Sequence, residues 1–135
     1  MNTKEDQLCM DVLAAIAWAD GEVSVAEAEK VIDLIDRMEY VDHHRVQEAM
    51  VVPHNAPSVA QLGTLEQKMR VRLLHDAYVV AEFCGGVDAA ELEIVKTLAG
   101  TVVDPERWPE VLACLKAYAD YEHAAARLWG VTHLG

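Results

Sequence analysis

An all-α fold is predicted by three observations. Apolar residues recur at three- and four-residue spacing along most of the chain, with no convincing period of two. Alanine is abundant while aromatic residues make up only 6%, which favours closely packed helices over a sheet sandwich. Most apolar stretches open on a cap residue or close on glycine. In 135 residues this material makes one domain, 1–135, a compact bundle of about seven helices.

Leu8, Val12, Leu13, Ile16 and Ala17 define a first amphipathic helix that ends near Ala19 and is stopped by Gly21. Ser24 followed by Glu27 is a capping box, opening a second helix from Val25 to about Glu39 with Val31, Ile32, Leu34, Ile35 and Met38 facing inward. Asp42 caps a third, short helix. Pro53, Asn55, Pro57 and Gly63 punctuate residues 52–64, the boundary between two halves, within which Ser58 starts a brief helical turn. From Thr64 the pattern Leu65, Met69, Val71, Leu73, Leu74, Tyr78, Val79, Phe83 reads as a long helix stopping at Gly85-Gly86. Asp88 with Glu91 then opens a helix through Leu92, Val95 and Leu98. Asp104-Pro105 is a cap followed by proline at a first helical position, and Pro109 marks that first turn or a restart. The last helix runs through Leu112, Leu115 and Tyr118 on to Trp129. Valine-rich pieces such as 78–80 and 101–103 are too short and too embedded to make strands.

A repeat lies in this order. A slide of sixty-four residues lays Gly21-Glu22-Val23-Ser24-Val25-Ala26-Glu27-Ala28-Glu29 on Gly85-Gly86-Val87-Asp88-Ala89-Ala90-Glu91-Leu92-Glu93, pairing glycine, valine, a cap residue and two glutamates. The preceding helices, at Leu8-Cys9-Met10-Asp11 and Leu73-Leu74-His75-Asp76, match one residue out of step. Two helix-turn-helix units about a pseudo-twofold follow, one over about 8–50 and one over about 73–118.

The formal net charge of −12 argues against nucleic acid or an anionic lipid surface as partner, since either needs a basic patch that releases counterions. Cations and basic protein surfaces remain. Cys9, Cys84 and Cys114 are odd in number and widely spaced, with no C-x-x-C pair, so neither a disulfide framework nor a zinc knuckle is expected. A reducing, cytoplasmic setting fits them. Residues 1–7 lack the apolar core of a signal peptide, and no run approaches the roughly 18 apolar residues of a membrane span.

Four carboxylates fall between Asp20 and Glu29, and the first following cation is Lys30. With Gly21 set at position 6 of a twelve-residue EF-hand loop, Asp20 stands at 5, Glu22 at 7, Val23 at 8, Ser24 at 9 and Glu27 at 12. Positions 1 and 3 fall on Ile16 and Trp18, which offer no side-chain oxygen. The second copy has Cys84 in place of Asp20, with Glu82 at position 3, Asp88 at 9 and Glu91 at 12. Neither loop alone supplies the six or so oxygens that a hard cation takes, so the metal reading is weak or shared binding of calcium or magnesium by Asp20, Glu22, Glu27, Glu82, Asp88 and Glu91 across both turns. The plain alternative makes Ser24 and Asp88 caps, Glu27 and Glu91 their partners, and Glu22 and Glu29 charges at a positive helix end; only Asp20 resists it.

The stretch Ala19-Asp20-Gly21-Glu22-Val23-Ser24 with Glu27, after an alanine-rich helix, and the weaker copy Val87-Asp88-Ala89-Ala90-Glu91 resemble the tellurite-resistance protein TerB family and the N-terminal domain of the DnaJ-like membrane co-chaperone DjlA. The resemblance spans roughly Leu8 to Tyr118. It implies a seven-helix bundle without known catalysis, carrying acidic clusters suspected of metal interaction. It also implies stress-response operons and complexes with TerC-like membrane proteins and calcium-binding TerD-like proteins. The residues onto which the acidic role carries are Asp20, Glu22, Glu27, Asp88 and Glu91; Cys84 and Gly86 depart from the acid-bearing pattern.

Two other chemistries set alternatives. His75-Asp76, with His43 or His44 and Asp120, is similar to the ligand order of HD-type metal-dependent phosphohydrolases, although no basic residue for a phosphate follows the pair; the plain reading is a histidine on a helix face. A purely structural adaptor without any ion is the third possibility. His44 and Glu48 lack the repeated E-x-x-H motifs of a di-metal bundle. Cys9 and Cys114 read as core, as do Trp108, Trp129, Tyr118 and Tyr121, ahead of a partner-binding patch near the C-terminus. Cys84 lies in a loop, in acidic surroundings that disfavour a thiolate.

Overall fold

The computed structural model describes residues 3–19, 21, 23–83 and 89–130. Among them the chain forms seven α-helices and no strand: α1 (Lys4–Ala17), α2 (Val25–Met38), α3 (His43–Ala49), α4 (Val59–Leu62), α5 (Gln67–Phe83), α6 (Ala89–Ala99) and α7 (Trp108–Trp129), with one 3₁₀ turn at Pro105–Arg107 before α7.

The local chemistry sets most of these boundaries. Thr3 and Asp6 form a reciprocal capping box at α1 that the sequence reading did not anticipate. Gly21 takes φ 88°, a left-handed conformation that favours glycine, and returns its N–H to the Trp18 carbonyl at 2.8 Å. The expected box at α2 is half formed. Ser24 Oγ accepts from the Glu27 N–H, but the Glu27 carboxylate accepts the Ser24 hydroxyl proton, 3.1 Å away, instead of the backbone N–H. Asp42 caps α3, and Ser58 with Gln61 builds a complete box at α4. The long helix begins at Gln67, three residues after Thr64, because residues 63–66 form a turn. Pro109 sits in the first turn of α7, directly after the Asp104-capped 3₁₀ turn. The cap of α6 expected at Asp88 lies outside the described residues.

Chain directions follow from a few contacts. Arg72 donates to the Met38 carbonyl at the end of α2, while Leu34 and Arg37 share a groove with Val79 and Phe83, so α2 runs antiparallel to α5. His75 packs on Tyr118, and Val79 and Phe83 line that same groove with Ala119 and Ala126, so α7 runs parallel to α5. The helix ends Ala17, Val25, Phe83, Ala89 and Trp129 therefore lie at one end of the bundle.

α1 and α5 pack side by side at the centre, with α6 against both; α2 packs on α5 and on α3, α3 also on α1, and α7 on α5. The contacts of α2 with α5 and of α6 with α1 correspond, as do those of α3 with α1 and of α7 with α5, but the close packing of α6 on α5 has no equal between α1 and α2. One core runs through both units, centred on Met10, Leu13, Ile16, Ile35, Leu73 and Leu98, all fully buried. No helix among the described residues is long and apolar enough to cross a membrane.

Candidate functional site

Of the six carboxylates expected to share a cation, Asp20, Glu22 and Asp88 lie outside the described residues, as does Cys84. The other three are placed. Glu27 is exposed on the first turn of α2, engaged with the Ser24 hydroxyl. Glu82 is half-buried near the end of α5 and accepts from the Tyr78 hydroxyl; burial first, and then this hydrogen bond, push the tyrosine up to about 12. Glu91 is buried in the first turn of α6, where the helix amide end favours a carboxylate. Among the described residues no three histidine, cysteine, aspartate or glutamate side chains are gathered closely enough to hold a metal. What the fold does is bring the helix ends that flank residues 20–22 and 84–88 to the same end of the bundle.

The strongest polar cluster lies elsewhere, around Asp76. Its carboxylate is 5% exposed and accepts from the Tyr40 hydroxyl at 2.6 Å, with the Arg72 Nε 3.6 Å away. Arg72 also stacks over the Tyr40 ring, 4.4 Å from its centroid, and caps the carbonyl end of α2 through Met38. Burial raises the Asp76 pKa above its ordinary value, outweighing Tyr40 and Arg72, which both lower it. Tyr40 is raised in turn, by burial and by the neighbouring carboxylate. Cys9, fully buried close by on α1, is pushed up to about 12 by burial and then by Asp6, which makes it a core thiol and not a nucleophile.

On the next face of α5, the His75 Nδ1 lies 2.8 Å from the Val71 carbonyl and its ring meets Tyr118 edge-on, centroids 4.8 Å apart. Tyr118 donates to the buried Glu122; burial, then the Glu122 and Asp76 charges, push this tyrosine up to about 12. His75 and Asp76 thus face different neighbours, one toward α7 and the other toward Tyr40. His43 instead pairs with Asp36, and His44 with Glu48 at 2.9 Å. The histidine–aspartate constellation of a hydrolase does not assemble from these residues.

Tyr40, Arg72 and Glu122 were not singled out in the sequence. An i, i+4 pair, Arg72 and Asp76, was the one available signal, and its burial depends on Tyr40 arriving from thirty-six residues away. Beside this cluster α2, α5 and α7 enclose a groove of about 140 Å³, floored by Leu34, Val79 and Ala119 and edged by Phe83, Arg37 and His123. Comparison of the chain with family models, with curated proteins and with solved structures gave no match.

Proposed function

We propose that this protein is a non-enzymatic, TerB-like helical module of a bacterial-type stress system that binds protein partners and responds to a divalent cation through its two acidic inter-helix turns. The observation that carries this reading is the convergence of helix ends: α1, α2, α5 and α6 all bring the termini flanking the two turns to one end of the bundle. Carboxylates from both units can then contribute to one ion, as neither turn could alone. Binding would draw the two hairpins together at that end and alter the surface beside the end of α7. Partners of the TerC-like or TerD-like kind belong to the same reading.

Titration calorimetry with calcium, magnesium, zinc and manganese tests it on the native chain and on Asp20→Asn. The expected result is heat with calcium or magnesium that Asp20→Asn weakens about tenfold or more, the effect of one lost carboxylate ligand. No heat with any ion sinks the cation mechanism and leaves the adaptor reading. Binding lost in His75→Ala but kept in Asp20→Asn points instead to the phosphohydrolase.

A further inference from the structure

α7 turns one face inward, burying Leu115, Ala119, Glu122 and Ala125. A second apolar stripe runs beside that face. Cys114, Ala117, Tyr121, Ala124 and Leu128 follow one another at steps of three, four, three and four, the spacing of a coiled-coil seam. Cys114 and Ala117 are exposed and Ala124 half-buried, while Tyr121 and Leu128 are 48% and 72% exposed. Cys114, Tyr121 and Trp129 were expected in the core; the core side of α7 is already filled by Leu115, Ala119, Glu122 and Ala125, and these three are left outside it.

We propose that this seam pairs with the same seam of a second copy of the chain, the two α7 helices lying antiparallel across a twofold axis near Glu122 and His123. The side-chain sizes carry this orientation. Antiparallel pairing sets Tyr121 against the second copy's Ala124 and Leu128 against its Ala117, so each layer matches one large residue with one alanine and the helices approach closely. Parallel pairing would stack tyrosine on tyrosine and alanine on alanine, alternately overfilling and emptying the seam.

Charge agrees with size. Asp120 and Arg127 occupy the same flank, seven residues apart, and form no ion pair with each other or with any other described residue. The antiparallel register brings Asp120 opposite the second copy's Arg127, and by symmetry makes the pair twice. Such an arrangement answers, at the contact itself, the repulsion between two chains of −12 each. The seam is only about 21 Å long at 1.5 Å per residue, below the standard interface size, so the dimer forms at micromolar or higher concentration.

Sedimentation equilibrium of the whole chain between about 5 and about 500 μM, a range that brackets such an affinity, reads the mass directly. The expected mass rises from 14.9 kDa toward twice that value with concentration. Leu128→Glu and Ala124→Arg each abolish the rise while the helical circular dichroism stays native. Asp120→Arg, which sets arginine against arginine in both copies of the pair, weakens association about tenfold, and the double exchange Asp120→Arg with Arg127→Asp restores it to within about threefold. A monomer at the highest concentration overturns the proposal, as does a dimer indifferent to Leu128→Glu or a double exchange no better than the single one. Ready oxidation of the native dimer through Cys114 overturns the orientation, since antiparallel helices hold the two Cys114 residues far apart while parallel ones place them side by side.

Discussion

A carboxylate inside a helical bundle costs stability unless donors surround it, and Asp76 is held by the Tyr40 hydroxyl with the Arg72 guanidinium behind it. Tyr40→Phe removes the hydroxyl donor and keeps the ring, so a loss of about 1–3 kcal/mol in chemical denaturation is expected. The raised pKa gives a second expectation. The folded state keeps the Asp76 proton at pH values where the unfolded chain, at its ordinary 3.8, has released it. The favourable contribution is therefore complete below that value and is lost as pH rises through the folded-state pKa. Asp76→Asn does not titrate, so relative to wild type it should gain stability as pH is raised from about 4 to about 7; a constant difference in denaturation midpoints across that range would contradict the shift. In the sequence Asp76 was singled out as one member of a histidine–aspartate pair, and its i, i+4 spacing from Arg72 carries no sign of burial. Its burial depends on how α2 crosses α5, which no local pattern of residues encodes.

Among the helices, the end of α2 stands out because Glu39 takes φ 58° there, a left-handed position occupied by a residue with a Cβ and a negative charge at a carbonyl end. Glu39→Gly relieves both and should stabilise the fold by about 1 kcal/mol, or about 3 °C in a thermal melt. An unchanged or lower melting temperature would show that the side chain holds a compensating contact. Helices were the most legible part of the sequence, since Ser24, Asp42, Ser58 and Asp104 each mark a start that the structure keeps. What misled was the assumption that large side chains at helical spacing go inward. α7 has more apolar circumference than the bundle can cover, and spacing alone does not say which of two adjacent stripes meets the core. The first acidic turn was legible as a turn, through Gly21 and the Ser24 cap, because those requirements are local. Whether the carboxylates of the two turns share an ion is a question of distances across two units, and these a single chain pattern does not contain.

Across the whole molecule the dominant quantity is the charge of −12. Among the described residues Arg107 pairs with Glu110 at the surface, and Arg72 is committed to Asp76. Self-repulsion at this level destabilises the compact state at low ionic strength. Raising sodium chloride from about 20 mM to about 500 mM shortens the Debye length to a few ångströms and should lift the melting temperature by several degrees, measured on dilute protein so that association does not contribute. A fall would mean that attractive pairs outweigh repulsion.

The parallel course of α5 and α7 has a consequence for how the chain can assemble. Antiparallel neighbours joined by a short turn, such as α5 with α6, can meet early because closing so short a loop costs little entropy. α7 has no such route: it reaches its place along α5 only after α6 has crossed back and the Asp104 turn has reversed the chain again. The last helix is therefore expected to be the last to dock on α5. Docking late, it is also expected to open at lower cost than the central helices α1 and α5.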